Sequence, residues 1–121
     1  MRILPWLMDH TGGAVLYWLG QAGRLTVVGR STGRLRTIQC QFRARPDGSV
    51  VVGSRIGRQW PTNLAVAGRC QFQIHGRDVI DYTANVLDGD PRTSAIAELT
   101  GPAGRGRSAY SGLIFELRPV T

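Results

Sequence analysis

The sequence predicts one mainly β (α+β) domain, a small antiparallel barrel or sandwich of about six strands with one or two short helices. The chain has 121 residues, which is enough for a single hydrophobic core. Its residues are 42% hydrophobic and 19% charged, as in ordinary globular proteins. The 16 glycines and 6 prolines indicate frequent turns, which favours strands over long helices.

Strands are predicted where apolar and polar residues alternate between turn residues. In the second predicted strand, Ile38, Cys40 and Phe42 share one face. The motifs "RPDGS" and "HGRD" predict tight hairpin turns, the first of them at Pro46, Asp47 and Gly48. The predicted strands cover residues 25–29, 35–43, 49–54, 69–75, 77–87 and 113–118.

Two short helices are predicted at prolines. Pro61 suits the first turn of a helix that continues to about Ala67. Asp90 suits the capping position of a second helix, with Pro91 at its first helical position. Residues 100–112 then form a loop before the last strand.

The chain contains no repeat and no linker, so we expect a single domain over residues 1–121. An apolar N-terminal segment, residues 1–20, precedes a barrel at residues 21–121. Asp9 and His10 interrupt that segment before the ~18 apolar residues that a membrane span needs. It also lacks a signal-peptide cleavage pattern. We therefore expect a cytoplasmic protein and leave open a peripheral membrane contact through this segment, and a homodimer.

The charge predicts an anionic partner. The formal net charge is +7, and all 15 basic residues are arginine, whose guanidinium forks bind phosphate and carboxylate with two hydrogen bonds. Nucleic acid, acidic lipid and an acidic small molecule all fit such a surface. Nucleic acid is not the expected partner, because the arginines are dispersed and only 7% of residues are aromatic.

No motif for metal binding or for acid–base catalysis stands out. Cys40 and Cys70 each lie on the apolar register of a predicted strand, so we interpret them as small buried residues. No Cys/His cluster has the spacing of a metal site. An enzyme with this sequence would therefore depend on a cofactor for its reactive chemistry.

The connection between the first two strands concentrates anion-binding groups. It offers guanidinium forks, hydroxyl groups and a glycine that lets the backbone approach an anion closely. These residues are Arg30, Ser31, Thr32, Gly33, Arg34 and Arg36.

This connection and the segments after it resemble the deazaflavin-dependent nitroreductase family, which are split β-barrel proteins that use coenzyme F420. The resemblance covers most of the chain from about Leu19. It implies a six-stranded antiparallel split β-barrel related to the FMN-binding ones. The matching positions are Gly29, Arg30, Thr32, Gly33, Arg36, residues 50–54, Gly57, Trp60, Asn63, Leu64, Tyr110 and residues 113–119.

The resemblance also implies a site. The arginine-rich connection would bind the phosphate and acidic tail of the deazaflavin. Ser54 would lie near the ring and the substrate, and Tyr110 would line the substrate pocket. These two are the candidate catalytic residues, which would orient the substrate or donate a proton. The remaining cofactor contacts would come from Arg55, Gly57, Arg58, Trp60 and Asn63.

The resulting hypothesis is an oxidoreductase that transfers a hydride from reduced F420 to a small electron-poor acceptor, such as an enone, a quinone or a nitro compound. Three alternatives stay open at this point. The protein could bind FMN in the same fold, or it could carry F420 or a lipid without catalysis. It could also be a basic barrel that binds nucleic acid, with strongly salt-dependent affinity.

Overall fold

The protein is described from a computed structural model, which describes residues 22–28, 32–101 and 110–120. The predictions for the N-terminal segment and for Gly29, Arg30 and Ser31 lie outside these residues. The strands are β1 (Ala22–Val28), β2 (Leu35–Ala44), β3 (Val50–Gly53), β4 (Arg69–Ile74), β5 (Ile80–Val86) and β6 (Ile114–Pro119). The helices are α1 (Trp60–Ala67) and α2 (Gly89–Thr100).

The six strands close into an antiparallel barrel in the order β1–β2–β3–β6–β5–β4. This confirms the predicted mainly β fold and the split-barrel architecture. Alternate residues of each strand point into the barrel, so the cross-strand pairs Leu25–Ile38 and Leu25–Phe72 both face the interior. The predicted inward face of β2 is confirmed, because Ile38, Cys40 and Phe42 belong to the main core or pack against it.

The interior of the barrel is filled by apolar and aromatic side chains. Phe72 is 1% exposed, with its ring edge-on to Phe42 and Tyr82 at centroid distances of 5.4 and 6.2 Å. Cys40 and Cys70 are buried free thiols in this core, as predicted. The buried members are Leu25, Val27, Cys40, Val50, Val52, Leu64, Cys70, Phe72, Tyr82, Phe115 and Leu117.

A second core lies on the outside of the barrel, under α2. Ala95 and Leu99 of this helix bury against Val51 of β3 and Ile114 of β6, together with Tyr110. The valine run of β3 is therefore buried on both faces, which explains why it shows no polar alternation. Packing of Ala95 and Leu99 on Val51 and Ile114 therefore holds α2 against the barrel.

Ion pairs bind the C-terminal end of α2 to the barrel. The Arg45 guanidinium donates to both carboxylate oxygens of Glu98, at 2.9 and 3.0 Å, and to Glu116 at 2.6 Å. Arg118 donates to the other oxygen of Glu116 at 2.8 Å. These partners come from β6, α2 and the residue after β2, so the network joins three separate elements.

Two details of the predicted helices need correction. Asp90 is not the cap of α2, because Asp88 precedes the helix and Asp90 lies in its first turn, with Pro91 two residues inside. The first-turn amides have no helical partner, so proline is tolerated there, and an acidic side chain interacts favourably with the helix dipole. The helix is also not short: it has 12 residues, because Ala95 and Leu99 gain a buried surface.

The predicted turn at Pro46, Asp47 and Gly48 is confirmed. The Gly48 amide donates to the Arg45 carbonyl at 3.1 Å, and one Asp47 carboxylate oxygen accepts from both the amide and the hydroxyl of Ser49.

Among the described residues, no helix is long and apolar enough to cross a membrane. Within residues 22–28, 32–101 and 110–120, no group of three or more His, Cys, Asp or Glu side chains is placed to hold a metal ion.

Candidate functional site

The antiparallel order brings several connections to one end of the barrel, which we call the upper end. Here β1, β3 and β5 finish and β2, β4 and β6 begin. Three described segments therefore lie at the same end: residues 32–34 before β2, the turn after β3 (residues 54–58) and the segment 110–113 before β6. Helix α1 packs against β1, β4 and β5 here, with Leu64 fully buried in the core.

The register leaves part of β2 open at this end. β2 pairs with β1 from Leu35 to Gln41, but with β3 only at Phe42, Arg43 and Ala44. Within the described residues, no strand pairs with the other edge of residues 35–41. The barrel is thus split above Phe42, and backbone donors and acceptors line one side of the split.

Two of the predicted anion-binding arginines lie beside this split. Arg36 pairs with Val27, whose side chain is buried, so Arg36 is on the inward register where the barrel opens. Arg34, Thr32 and Gly33 are exposed just before β2. The Thr32 hydroxyl accepts from the Arg34 amide at 3.2 Å, and Gly33 has φ 68° with nothing within 4 Å of the position that a Cβ would take.

The turn after β3 is held by the segment 110–113, which we call the strap. Ser54 is 3% exposed, and its hydroxyl donates to the Leu113 carbonyl at 2.7 Å. The Ser54 amide donates to the same carbonyl at 3.1 Å, and the Ser54 carbonyl accepts from the Gly112 amide at 2.8 Å. The Ser111 hydroxyl accepts from the Ile56 amide at 3.1 Å. These hydrogen bonds therefore hold Ser54 in place directly after β3, at the upper end of the barrel.

The residues that follow Ser54 are open to solvent. Arg55, Gly57 and Arg58 are exposed, and Ile56 has 76% of its surface accessible. Gly57 has φ 93° with no atom within 4 Å of the position that a Cβ would take. This turn therefore offers two guanidinium groups and accessible backbone to a ligand at the upper end.

The two predicted residues of α1 form structure beneath this surface. The Trp60 ring is tilted over Phe115 at a centroid distance of 6.3 Å and packs against the main core. Asn63 is 8% exposed, and its backbone N–H donates to the Gln59 carbonyl at 3.2 Å in the first helical turn. Both side chains, predicted as cofactor contacts, thus pack into the domain beneath the exposed turn.

Tyr110 lies deeper than a loop residue would suggest. It is 6% exposed in the second core, and its hydroxyl donates to Oε1 of Gln41 at 2.6 Å. Burial raises the pKa of Tyr110, with a smaller contribution in the same direction from Cys40. The phenol is therefore a weaker acid than that of an exposed tyrosine. Ser54 and Tyr110 are brought into one neighbourhood by the strap, which contains Tyr110 and binds Ser54.

Sequence reasoning missed three residues that organise this region: Gln41, Arg92 and Gly112. The Arg92 guanidinium, on α2, donates to the Gly112 carbonyl at 2.9 Å. A Cβ on Gly112 would lie 2.6 Å from the Ser54 hydroxyl oxygen, so only glycine fits there. Only Gln41 could have been found from the sequence, as a polar residue on the outward face of β2. No local sequence pattern indicates the contacts of Arg92 and Gly112.

The comparisons with known proteins agree with this architecture. A family profile described as "F420H(2)-dependent quinone reductase" matches residues 1–103. No curated protein matches the chain. The structure of an F420-H2 dependent reductase is 19% identical, with a TM-score of 0.62, over 81% of this chain and 94% of its own.

Two further solved structures share the fold. A protein of unknown function from Agrobacterium tumefaciens is 15% identical, with a TM-score of 0.68 over 88% of this chain; the match spans 53% of the Agrobacterium protein, about half its length. HupZ of Group A Streptococcus is 14% identical, with a TM-score of 0.66, over 86% of this chain and 84% of its own. At these identities the likeness supports the split-barrel fold alone.

Proposed function

Because the chain belongs to the F420H(2)-dependent quinone reductase family, we propose that it is an F420-dependent oxidoreductase that reduces a small electron-poor acceptor. A quinone is the first acceptor to test, since the family description names it; an enone or a nitro compound has the same electrophilic character. When bound, the reduced deazaflavin supplies a hydride, and the acceptor takes up this hydride together with one proton.

The observation that carries the proposal is the position of Arg34 and Arg36 beside the open edge of β2, at the same barrel end as residues 54–58. A flat ring with a long anionic tail needs a slot for the ring and cations for the tail. The unpaired edge of residues 35–41 is the candidate position for the ring. The arginines offer charged donors that form strong hydrogen bonds to phosphate or carboxylate. Gly33 and Gly57 leave their surroundings open for close approach.

The residues of this chain would divide the work as follows. Arg34 and Arg36, with Thr32 and Gly33, bind the anionic part of the cofactor, and so do Arg30 and Ser31 outside the described residues. The exposed turn at Arg55, Gly57 and Arg58 contacts the cofactor through its backbone and its guanidinium groups. Helix α1, through Trp60 and Asn63, supports the wall that keeps water away from the ring.

Ser54 and Tyr110 remain the candidate residues for orienting the acceptor. Burial raises the pKa of the Tyr110 phenol, so the hydroxyl is a weaker acid than that of an exposed tyrosine and suits hydrogen-bond donation to the acceptor better than proton transfer. Its present acceptor is Gln41, and the present acceptor of Ser54 is the Leu113 carbonyl. Either hydroxyl would exchange that bond for one to the acceptor when it acts.

The first experiment is a tryptophan-fluorescence titration with F420 and, in parallel, with FMN. We expect saturable binding of F420, and we expect Arg36→Ala to weaken it about tenfold, the size of one lost charge-assisted hydrogen bond. Arg77→Ala is the control, because it removes the same charge from the β4–β5 turn at the opposite barrel end. Binding of FMN alone would replace the cofactor, and binding of neither would overturn the proposal.

A second measurement separates an enzyme from a carrier. Reduced F420 is mixed with the protein and a benzoquinone, and oxidation of the cofactor is followed by absorbance. Turnover supports the oxidoreductase, whereas tight binding without turnover of any quinone, enone or nitro acceptor supports a carrier. The homodimer and the cytoplasmic location stay predictions.

A further inference from the structure

We propose that Arg92 of α2 is a positioning residue for the cofactor-binding turn at residues 54–58, acting through the strap. The inference rests on the proposed function. Arg92 lies outside the arginine-rich connection. Within the described part of the chain, its side chain donates to the Gly112 carbonyl of the strap. Its role follows from a chain of contacts that leads from α2 to the turn.

The first step in this chain is the bond from Arg92 to the strap. Its guanidinium donates to the Gly112 carbonyl at 2.9 Å, and Arg92 is half-buried there. A charged donor to a neutral carbonyl makes a stronger hydrogen bond than an amide would. This bond fixes the direction of the Gly112 peptide group.

The second step is the contact between Gly112 and the turn. The Gly112 amide donates to the Ser54 carbonyl at 2.8 Å. A Cβ on Gly112 would lie 2.6 Å from the Ser54 hydroxyl oxygen and 3.0 Å from the carbonyl carbon of Arg55. With so little space between the two segments, a displacement of Gly112 must displace Ser54 and Arg55 as well.

The third step is that α2 does not need Arg92 to stay on the barrel. The helix is already held by Ala95 and Leu99 in the second core. At its other end, Glu98 accepts two hydrogen bonds from Arg45. Arg92 lies at the opposite end of the helix from this ion pair, and among the described residues it bonds to the strap. Loss of Arg92 should therefore loosen the strap and the turn while the fold persists.

The test compares Arg92→Met, which keeps the length of the side chain without a donor, with Arg92→Lys, which restores one donor. Arg77→Met is the control for the lost charge at the opposite barrel end.

The first readout needs no cofactor: amide hydrogen exchange measured by NMR at Ser54, Ile56 and Gly112. We expect faster exchange at these three amides in Arg92→Met, with the Ala84 amide unchanged. The Ala84 amide donates to the Gly68 carbonyl and is remote from the strap.

The second readout is the dissociation constant for F420. We expect Arg92→Met to weaken binding about tenfold, Arg92→Lys to recover most of that loss, and Arg77→Met to match the wild type. If Arg92 served only to fill space, Arg92→Met, which keeps the length of the side chain, would bind F420 as the wild type does. Thermal unfolding of each variant verifies that α2 remains docked.

The outcomes separate this inference from the proposed function. If the wild type binds F420 but Arg92→Met binds it equally well, or if the three amides exchange as in the wild type, the positioning role is overturned and the proposed function stands. If the wild type does not bind F420, the proposed function falls, and the role of Arg92 toward that cofactor falls with it.

Discussion

The Tyr110 hydroxyl donates a 2.6 Å hydrogen bond to Oε1 of Gln41, a residue 69 positions earlier in the chain. The bond joins the strap to the outer face of β2, next to the point where β2 and β3 separate. Two polar groups thus meet at the edge of the second core, on the side of the barrel that α2 covers. This contact ties the position of the strap to the open strand that borders the proposed site.

We expect Tyr110→Phe to lower the free energy of unfolding by about 1 kcal/mol, because it removes this hydrogen bond and keeps the buried ring. Tyr110→Ala should cost about 3–5 kcal/mol, since it also leaves a cavity in the second core. Urea unfolding of the two variants measures both values. Equal losses in the two variants would mean that the ring contributes little to the packing of α2.

We expect Ser54→Ala to cost less than about 1 kcal/mol in stability, because the Leu113 carbonyl still accepts from the residue 54 amide at 3.1 Å. If Ser54 orients the acceptor, kcat/KM for the best quinone should fall about tenfold at the same time. Ser49→Ala is a matched control, since Ser49 is 1% exposed and lies at the opposite end of β3. Equal kcat/KM in both variants would remove Ser54 from the site.

We expect Arg45→Met to destabilise the protein by about 1–3 kcal/mol, because it leaves Glu98 and Glu116 without their shared cation in a partly buried place. The Arg45 side chain is 23% exposed, whereas Arg118 is 55% exposed. Arg118→Met should therefore cost under about 1 kcal/mol. Thermal or urea unfolding compares the two, and a larger loss in Arg118→Met would contradict this assignment of the network.

We expect both cysteines to resist thiol reagents in the folded protein. Burial raises the pKa of Cys40, and it raises the pKa of Cys70 to about 12. The reactive thiolate is therefore scarce at pH 8. Titration with a chromogenic disulfide should give almost no reaction with the native protein and reaction at both thiols in urea. Rapid labelling of the native protein would show that the barrel opens easily.

The same pKa shifts predict how stability changes in alkali. A folded-state pKa above the unfolded value near 8.5 means that the unfolded chain releases protons first as the pH rises. The contribution of the thiols is therefore complete below about pH 8.5 and declines above it. The urea midpoint of the wild type should fall between pH 8 and 10, and it should fall less in a Cys40→Ala/Cys70→Ala variant.

Much of the barrel was predictable because its signals are local. The alternation of Ile38, Cys40 and Phe42 reports which face of β2 is buried, whatever its partners are. The turn at Asp47 and Gly48 depends on neighbouring residues alone. The resemblance to the deazaflavin-dependent family was also carried by ordered short motifs, and the family profile supports it.

The sequence by itself thus determined the number of strands, the inward face of β2, the main turn and the presence of an arginine-rich connection between the first two strands. Only the tertiary structure decided the length of α2, because Ala95 and Leu99 acquire their buried surface from Val51 and Ile114 of distant strands. It alone decided how Ser54 is held, since the contacts of Gln41, Arg92 and Gly112 join segments far apart in the chain. Such contacts form only when the barrel closes, and they leave no periodic pattern in the sequence.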